Sequence, residues 1–287
     1  MTVARHRPTA RLTNPVIAVV TWVSSALAGL GQIVMFSGKV FISLPVTLRH
    51  YRQQTFKTMN SMAWGRGSLI VDGGVVSLLA ILGVAVGAVI AIEAYGALEL
   101  LGFGALSGII GSFANIREIA PILTGIGFAA QAGCRMTAEI GSMRISEEID
   151  ATEALGIRAI PFVVGTRLIG GMLCVLPAYM LGLVISFVTG ALIIKTFHNE
   201  SGGTYDHYFA QFITVSEVLA SITKALVFCI LVTLIHCYYG YFASGGPAGV
   251  GIASGRAIRA SLVVIVVANF AFSVLIWGLS PEMVFTG

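Results

Sequence analysis

Two groups of residues carry the chemical possibilities of this chain. The first is a polar island, EIGSMRISEEIDATEALGIR, from Glu139 to Arg158. It holds five of the 13 acidic residues, Glu139, Glu147, Glu148, Asp150 and Glu153, with Arg135, Arg144, Arg158 and Arg167 in or beside it. The second is Arg117, Glu118 and Lys224, set inside long apolar runs. On a helix, acids at 147, 150 and 153 recur at i, i+3 and i+6 and spread negative charge over a broad face. Such a face suits a partner with a basic groove, while Ile145 and Ile149 could rest it on a membrane surface; a solvated connector is the plainest alternative. Charges at membrane depth cost about 2.5–3.5 kcal/mol on insertion scales, so they line a polar cavity, pair internally or relay ions. Catalysis is not expected, because Asp72, His236 and Glu217 fall on different apolar segments with no nucleophile–base spacing. A lone His among apolar residues is expected to be a structural hydrogen-bonder. The four cysteines, Cys134, Cys174, Cys229 and Cys237, form no CxxC and lie in apolar runs, which predicts core residues and neither disulfide nor metal site.

The island must be positioned by a short helix over about 146–156. Ser146 is the expected N-cap, the acids that follow favour the positive end of the helix dipole, Gly156 is a C′ stop and Pro161 prevents continuation. A helix this short has little stability of its own, so its neighbours must hold it.

Those neighbours are apolar. The chain has 287 residues, of which 56% are hydrophobic and only 10% charged, with mean hydropathy +0.91. Soluble domains carry about 25% charged residues, so the sequence reads as an all-α polytopic membrane protein and the net charge of +4 as topology, with no nucleic-acid partner. Residues 1–66 are expected to hold a basic tail, an interfacial or re-entrant segment from Pro15 to Phe36 and an amphipathic helix from about Leu44 to Trp64. The first apolar run is long for a cleaved leader. Residues 67–287 are expected to form five spans, near 68–92, 105–138, 162–194, 219–243 and 261–277, with breaks or kinks at Pro121 and Pro177. With the N-terminus in and the C-terminus out, 14 of the 17 Lys and Arg fall on the cytoplasmic side. The island then lies in the cytoplasm between the second and third spans, and Lys195–Gln211 forms an outer loop. Gly83-x3-Gly87 and Gly104-x3-Gly108 are small-residue pairs suited to close helix packing. The glycine-rich GGPAGVGIASGR lacks GK[ST] and is expected to be a flexible turn, not a nucleotide loop. There is no internal repeat and no pair of inverted halves.

Arg117-Glu118-Ile-Ala-Pro121, Gly133, Thr137-Ala138-Glu139-Ile-Gly141, Met143-Arg144 and Glu147 together resemble the MlaE/YrbE permeases of MCE-associated ABC lipid transporters. The resemblance covers about residues 65–280, and MRISEEIDA, GGTYDHYF and HCYYGYFASGGPAGVG look like the actinobacterial B-type YrbE subunit. It implies a plasma-membrane permease subunit without catalysis, partnered by a cytoplasmic ABC ATPase, an A-type YrbE paralogue and extracytoplasmic MCE proteins. It implies ATP and Mg on the partner ATPase, no cofactor on this chain, and a lipid or fatty-acid cargo, imported in the family's manner. By position, Glu147 and Glu153, with Glu148, Asp150 and Arg144 beside them, match the family's coupling helix, and Arg117, Glu118 and Lys224 match charges near its lipid cavity. Arg117 and Lys224 would attract a lipid carboxylate or phosphate, with Glu118 holding them in place. Asn269 stands where Gram-negative members carry an Asp, so a pairing with Lys224 would be altered here. A stand-alone ion-coupled transporter is the alternative.

Overall fold

The computed structural model describes residues 15–65, 73–198 and 202–278, without the side chains of 15–28, 30 and 105. Asp72, Arg66, the basic tail and the Asn199-Glu200-Ser201 sequon lie outside the described residues.

Every described element is helical, as hydrocarbon requires: lipid offers backbone groups no hydrogen-bond partner, so the chain must satisfy them itself. Helix α1 spans Pro15–His50 and α2 spans Arg52–Trp64. Helix α3 spans Val75–Glu99. A 3₁₀ turn at Gly104–Leu106 then opens a long rod: α4 (Ser107–Ala114), a π turn (Asn115–Ile119), α5 (Ala120–Phe128), a second π turn (Ala129–Gly133) and α6 (Cys134–Ile145). Helix α7 (Glu148–Ala154) joins it through a third π turn (Ile160–Gly165) to α8 (Thr166–Phe197). Helices α9 (Gly202–Gln211), α10 (Val215–Tyr241) and α11 (Gly246–Trp277) complete the bundle.

Six of the described helical segments are long and apolar enough to cross a membrane, against the five expected. The difference lies in α1. The expected interfacial segment and the start of the amphipathic helix are one 36-residue helix that runs through Pro45. The chain breaks at Tyr51, which leaves helical geometry at φ −117° and ψ 30°. Beyond that break α2 buries Thr55 and Met62. The glycine-rich segment is also corrected. It is the first part of α11, entered through a left-handed pair, Gly245 and Gly246, with Pro247 in the first turn. The outer loop likewise contains a helix, α9.

The longest seam joins α3 to α8. Gly83 lies on the backbone of Gly182, and Gly87 on that of Ser186, so neither position has room for a Cβ. The pair Gly104 and Gly108 instead packs against Tyr95 and Glu99 and against α9, respectively. Gly87→Leu should lower thermal stability by about 1–3 kcal/mol through overpacking. Gly96→Leu on the same helix, where a Cβ meets nothing within 4 Å, should be near neutral in the same detergent melt.

The core collects Phe128, Met136, Ile140, Leu168, Tyr179, Phe228 and Ile265 where the rod, α8, α10 and α11 meet. His236 is fully buried there, with Nδ1 2.7 Å from Thr137 Oγ1 and Nε2 3.4 Å from Ser261 Oγ. It ties α6, α10 and α11 together, the structural role expected for it. The described cysteines are free, with Cys174, Cys229 and Cys237 buried.

Candidate functional site

The polar island folds into the connector between the rod and α8. Its cap differs from the expected one. Ser146 ends α6, donating its N–H to Ser142 O (3.0 Å), and its hydroxyl reaches Glu148 Oε1 (3.1 Å). Glu147 is the residue that opens α7, in left-handed geometry at φ 61° and ψ 14°. Among the described residues it is the one non-glycine with positive φ. An L-residue pays about 1–2 kcal/mol for that conformation. The other end is as expected: Gly156 adopts φ 78° and donates to Glu153 O (2.9 Å), while Ile157 N donates to Thr152 O (3.2 Å). These two bonds form a Schellman stop.

A seven-residue helix needs an anchor, and Ile149 supplies it at 1% exposure. Ile145, its expected companion, is 37% exposed and contributes less. Glu147, Glu148, Asp150 and Glu153 all face outward with Leu155 at the tip. Arg144 Nη1 donates to Asp150 Oδ1 at 2.8 Å, so Asp150 presents a neutralised edge. Among the described residues Glu147 and Glu153 form no ion pair. Glu139 is turned inward. It bridges Arg135 (2.8 Å) and Arg167 (3.2 Å), and Arg135 in turn donates to Ser61 O and Oγ on α2. The fifth acid of the island is therefore a brace between α2, α6 and α8.

The second group lies in the other half of the bundle. Lys224 is nine residues into α10, about 14 Å from its start. It is fully buried, and its ammonium donates to Arg117 O (2.7 Å), Ser273 Oγ (2.9 Å) and Glu118 Oε1 (3.3 Å). The π turn makes this possible: Ala120 N–H reaches back to Asn115 O, and the Arg117 and Ile116 carbonyls accept from Lys224 and from Ser221 Oγ on α10. Asn269 Nδ2 and Ser273 Oγ, one turn apart on α11, donate to the two oxygens of Glu118. Asn269 thus pairs with Glu118, and no contact of Asn269 with Lys224 is found among the described residues.

Arg117 turns away from Glu118. Its Nε and Nη2 donate to Glu217 Oε2 (2.9 Å) and Oε1 (2.6 Å) in a two-pronged pair. Phe113 and Trp277 face the guanidinium at 3.9 and 4.9 Å, and Trp277 Nε1 donates to Glu217 Oε1 at 3.2 Å. The expected arrangement, with Glu118 holding Arg117 and Lys224, is therefore replaced by two pairs, Arg117–Glu217 and Lys224–Glu118. Their four formal charges cancel. Glu217 was legible only as a stray acid. The signal was its place seven residues before Lys224, two turns along the same helix face.

At the same end as Glu217, Lys195 pairs with Asp206 of α9 at 2.8 Å. Tyr205 packs between α9 and α4, and burial, with Asp206 adding to it, pushes its hydroxyl up to about 12.

The chain matches the permease MlaE family over residues 66–275, which includes the island and both charge pairs. A probable ABC transporter permease protein of Synechocystis sp. is 32% identical over 183 residues, 62% of this chain and 69% of that one. A probable ABC transporter permease protein of Rickettsia bellii is 28% identical over 189 residues, 66% and 73% of the two chains. The intermembrane phospholipid transport system permease protein MlaE of Haemophilus influenzae is 26% identical over 210 residues, 71% and 80% of the two chains. This chain belongs to the MlaE permease family: it is a multi-pass, all-helical inner-membrane protein, the non-catalytic permease subunit of an ABC-type transporter related to the MlaE lipid-transport systems.

Proposed function

We propose that this permease moves lipids or fatty acids across the cell envelope, inward, and is driven by a separate cytoplasmic ATPase that docks on α7. The observation that carries this reading is the construction of α7 itself. A helix of seven residues is pinned by Ile149, opened by a strained glutamate and closed by a Schellman stop, and it shows Glu147, Glu148 and Glu153 to solvent. Backbone strain of this kind clusters at functional sites, which supports a docking role for so short a helix. Its acids suit a basic groove, and Arg144 fixes Asp150 beside them. Closure of two ATPase subunits would draw two such helices together and shift the population of cavity states between paired permeases. The rod gives this motion a path, since α6 runs from α7 to the π turn beside the bundle core.

In this reading the N-terminus is cytoplasmic and the C-terminus outside, α1 lies at the inner interface, and residues 67–287 form the permease domain. The second permease is an A-type YrbE paralogue, this chain is the B-type subunit, and MCE proteins meet the outer face near α9. Arg117, Glu118, Lys224 and Asn269 line the lipid cavity. Glu118, 39% exposed, and Arg117, 18% exposed, form its polar edge, with Lys224 behind them as their anchor. An amphipathic cargo needs that combination of apolar wall and a few placed polar groups.

The test is affinity purification of the tagged chain from native membranes in mild detergent, wild type beside Glu147→Lys/Glu153→Lys. Wild type is expected to bring an ATPase, a second permease and MCE proteins, and the double variant to lose the ATPase alone. A wild-type chain that emerges alone, with transport persisting in cells that lack the ATPase, would overturn the reading in favour of an ion-coupled transporter.

A further inference from the structure

Beside α7 lies a groove of about 470 Å³ between α1 and the 156–161 connector. Ile42, Val46, Ile157 and Ile160 form its apolar walls, and Lys39 and Arg158 add two cations against one acid, Glu153. Among the described residues neither Lys39 nor Arg158 is in an ion pair. The walls are fixed. Buried Thr47 donates to Pro161 O at 3.1 Å, and the Tyr51 and Phe162 rings meet edge-to-face at 5.4 Å. The groove is also continuous with an outward apolar surface on α1, where Val34, Met35, Phe41 and Ile42 are exposed, Ile42 to 81%. A surface of that kind calls for hydrocarbon.

We propose that the groove binds one anionic phospholipid from the leaflet that adjoins α7, separate from the transported cargo. Lys39 and Arg158 hold its phosphate, and an acyl chain follows Ile42, Val46, Ile157 and Ile160. Cations near a bilayer surface select anionic headgroups in this way, and the apolar wall distinguishes a lipid from a soluble phosphate. A basic protein occupant is less well matched, since Glu153 is the one acid in the lining against two cations, and Glu147 and Glu148 lie outside it. The bound lipid joins α1 to the connector that carries α7. It thereby makes the pose of α7 depend on the composition of the surrounding leaflet; this regulatory consequence rests on the reading of α7 as the coupling helix, whereas the binding itself does not.

The experiment is native mass spectrometry of the full chain in detergent, titrated with phosphatidylglycerol and with phosphatidylcholine of identical acyl chains. Both lipids offer a phosphate to Lys39 and Arg158, but the fixed cation of choline is repelled by that pair, so wild type should retain phosphatidylglycerol with roughly tenfold preference. Lys39→Gln/Arg158→Gln should bring the two lipids to parity, and Arg49→Gln/Arg52→Gln, which alters cations outside the groove, should leave the preference intact. Phosphatidylglycerol with a photoactivatable acyl chain should label residues 42–46 and 157–161. Parity in wild type, a preference that survives Lys39→Gln/Arg158→Gln, or labelling confined to other segments would overturn the proposal. The measurement needs no ATPase, so its failure and the failure of the coupling reading are separate results.

Discussion

Lys224→Met should destabilise the bundle by about 3 kcal/mol, near the lower end of what breaking a buried ion pair costs. The lower end applies because Glu118 keeps 39% exposure and can recover some hydration, whereas Lys224 has none. The loss has two parts. Glu118 is left with only Asn269 and Ser273 as donors, and the Arg117 carbonyl in the π turn loses its ammonium partner. Adding Glu118→Gln to Lys224→Met removes the stranded charge and should restore more than half of the stability, read as a double-mutant cycle on melting in detergent. A double variant whose loss equals the sum of the Lys224→Met and Glu118→Gln losses measured separately would show that the two residues are not coupled. Arg117→Met tests the second pair separately, because its partner is Glu217 and not Glu118. Transport should fall in both cases, since each change leaves a carboxylate without its cation, Glu118 inside the bundle and Glu217 in the first turn of α10.

Glu147→Gly should raise stability and still impair transport, a combination that a purely structural residue cannot give. Glycine accepts φ 61° without the penalty of a side chain, so relief of about 1 kcal/mol is expected, tempered by the entropy of the more flexible unfolded chain. The carboxylate is lost at the same time, and binding of the ATPase in the affinity test should weaken with it. Glu153→Gln removes a second outward acid without touching the left-handed position and should weaken docking without the gain in stability. Asp150→Asn should do little to stability, because its pair with Arg144 is exposed at 38% and 59% and such pairs contribute about 0–1 kcal/mol. Intact docking in both Glu147→Gly and Glu153→Gln would detach α7 from the ATPase.

The long apolar runs of α3, the rod, α8 and α10 were legible because membrane depth leaves a chain few alternatives to helix. The acidic connector was legible as a short helix with Gly156 as its stop. Its start was misplaced by one residue: Ser146 has the chemistry of an N-cap, but Glu147 adopts the left-handed turn, and nothing in the composition announces strain. The start of α11 was hidden for a different reason. Gly249, Gly251 and Gly255 disfavour helix by about 1 kcal/mol each in water, whereas packing on α6 and α10 and the demand for backbone hydrogen bonds override that preference. Pro247, so close to the helix start, was the available clue. In the candidate site, the charged residues were found together with one of their pairings, Glu118 with Lys224, while the pairing of Arg117 with Glu217 was not. Adjacency in sequence suggested that Arg117 and Glu118 act together, but neighbours on a helix point about 100° apart, and each finds its partner on another element.

The three π turns have a consequence for chain length. A π turn carries a residue more than the α-helix would use over the same rise, so removing one residue from Asn115–Ile119 would return the turn to α geometry with α4 and α5 keeping their faces, whereas a deletion inside α4 or α5 would rotate the chain on one side of the cut by about 100° against the other. A deletion at Phe113 would turn buried Ser112 off its packing surface if Asn115 kept its hydrogen bond to Ser186 on α8, and would break that bond if Ser112 stayed in place. The rod is thus keyed to its residue count as well as to its residue types. Substitutions can drift along its apolar faces, but single-residue deletions and insertions within its α segments change which side chains enter the membrane interior, and tolerated changes in length belong to the π turns and to the connectors at either end.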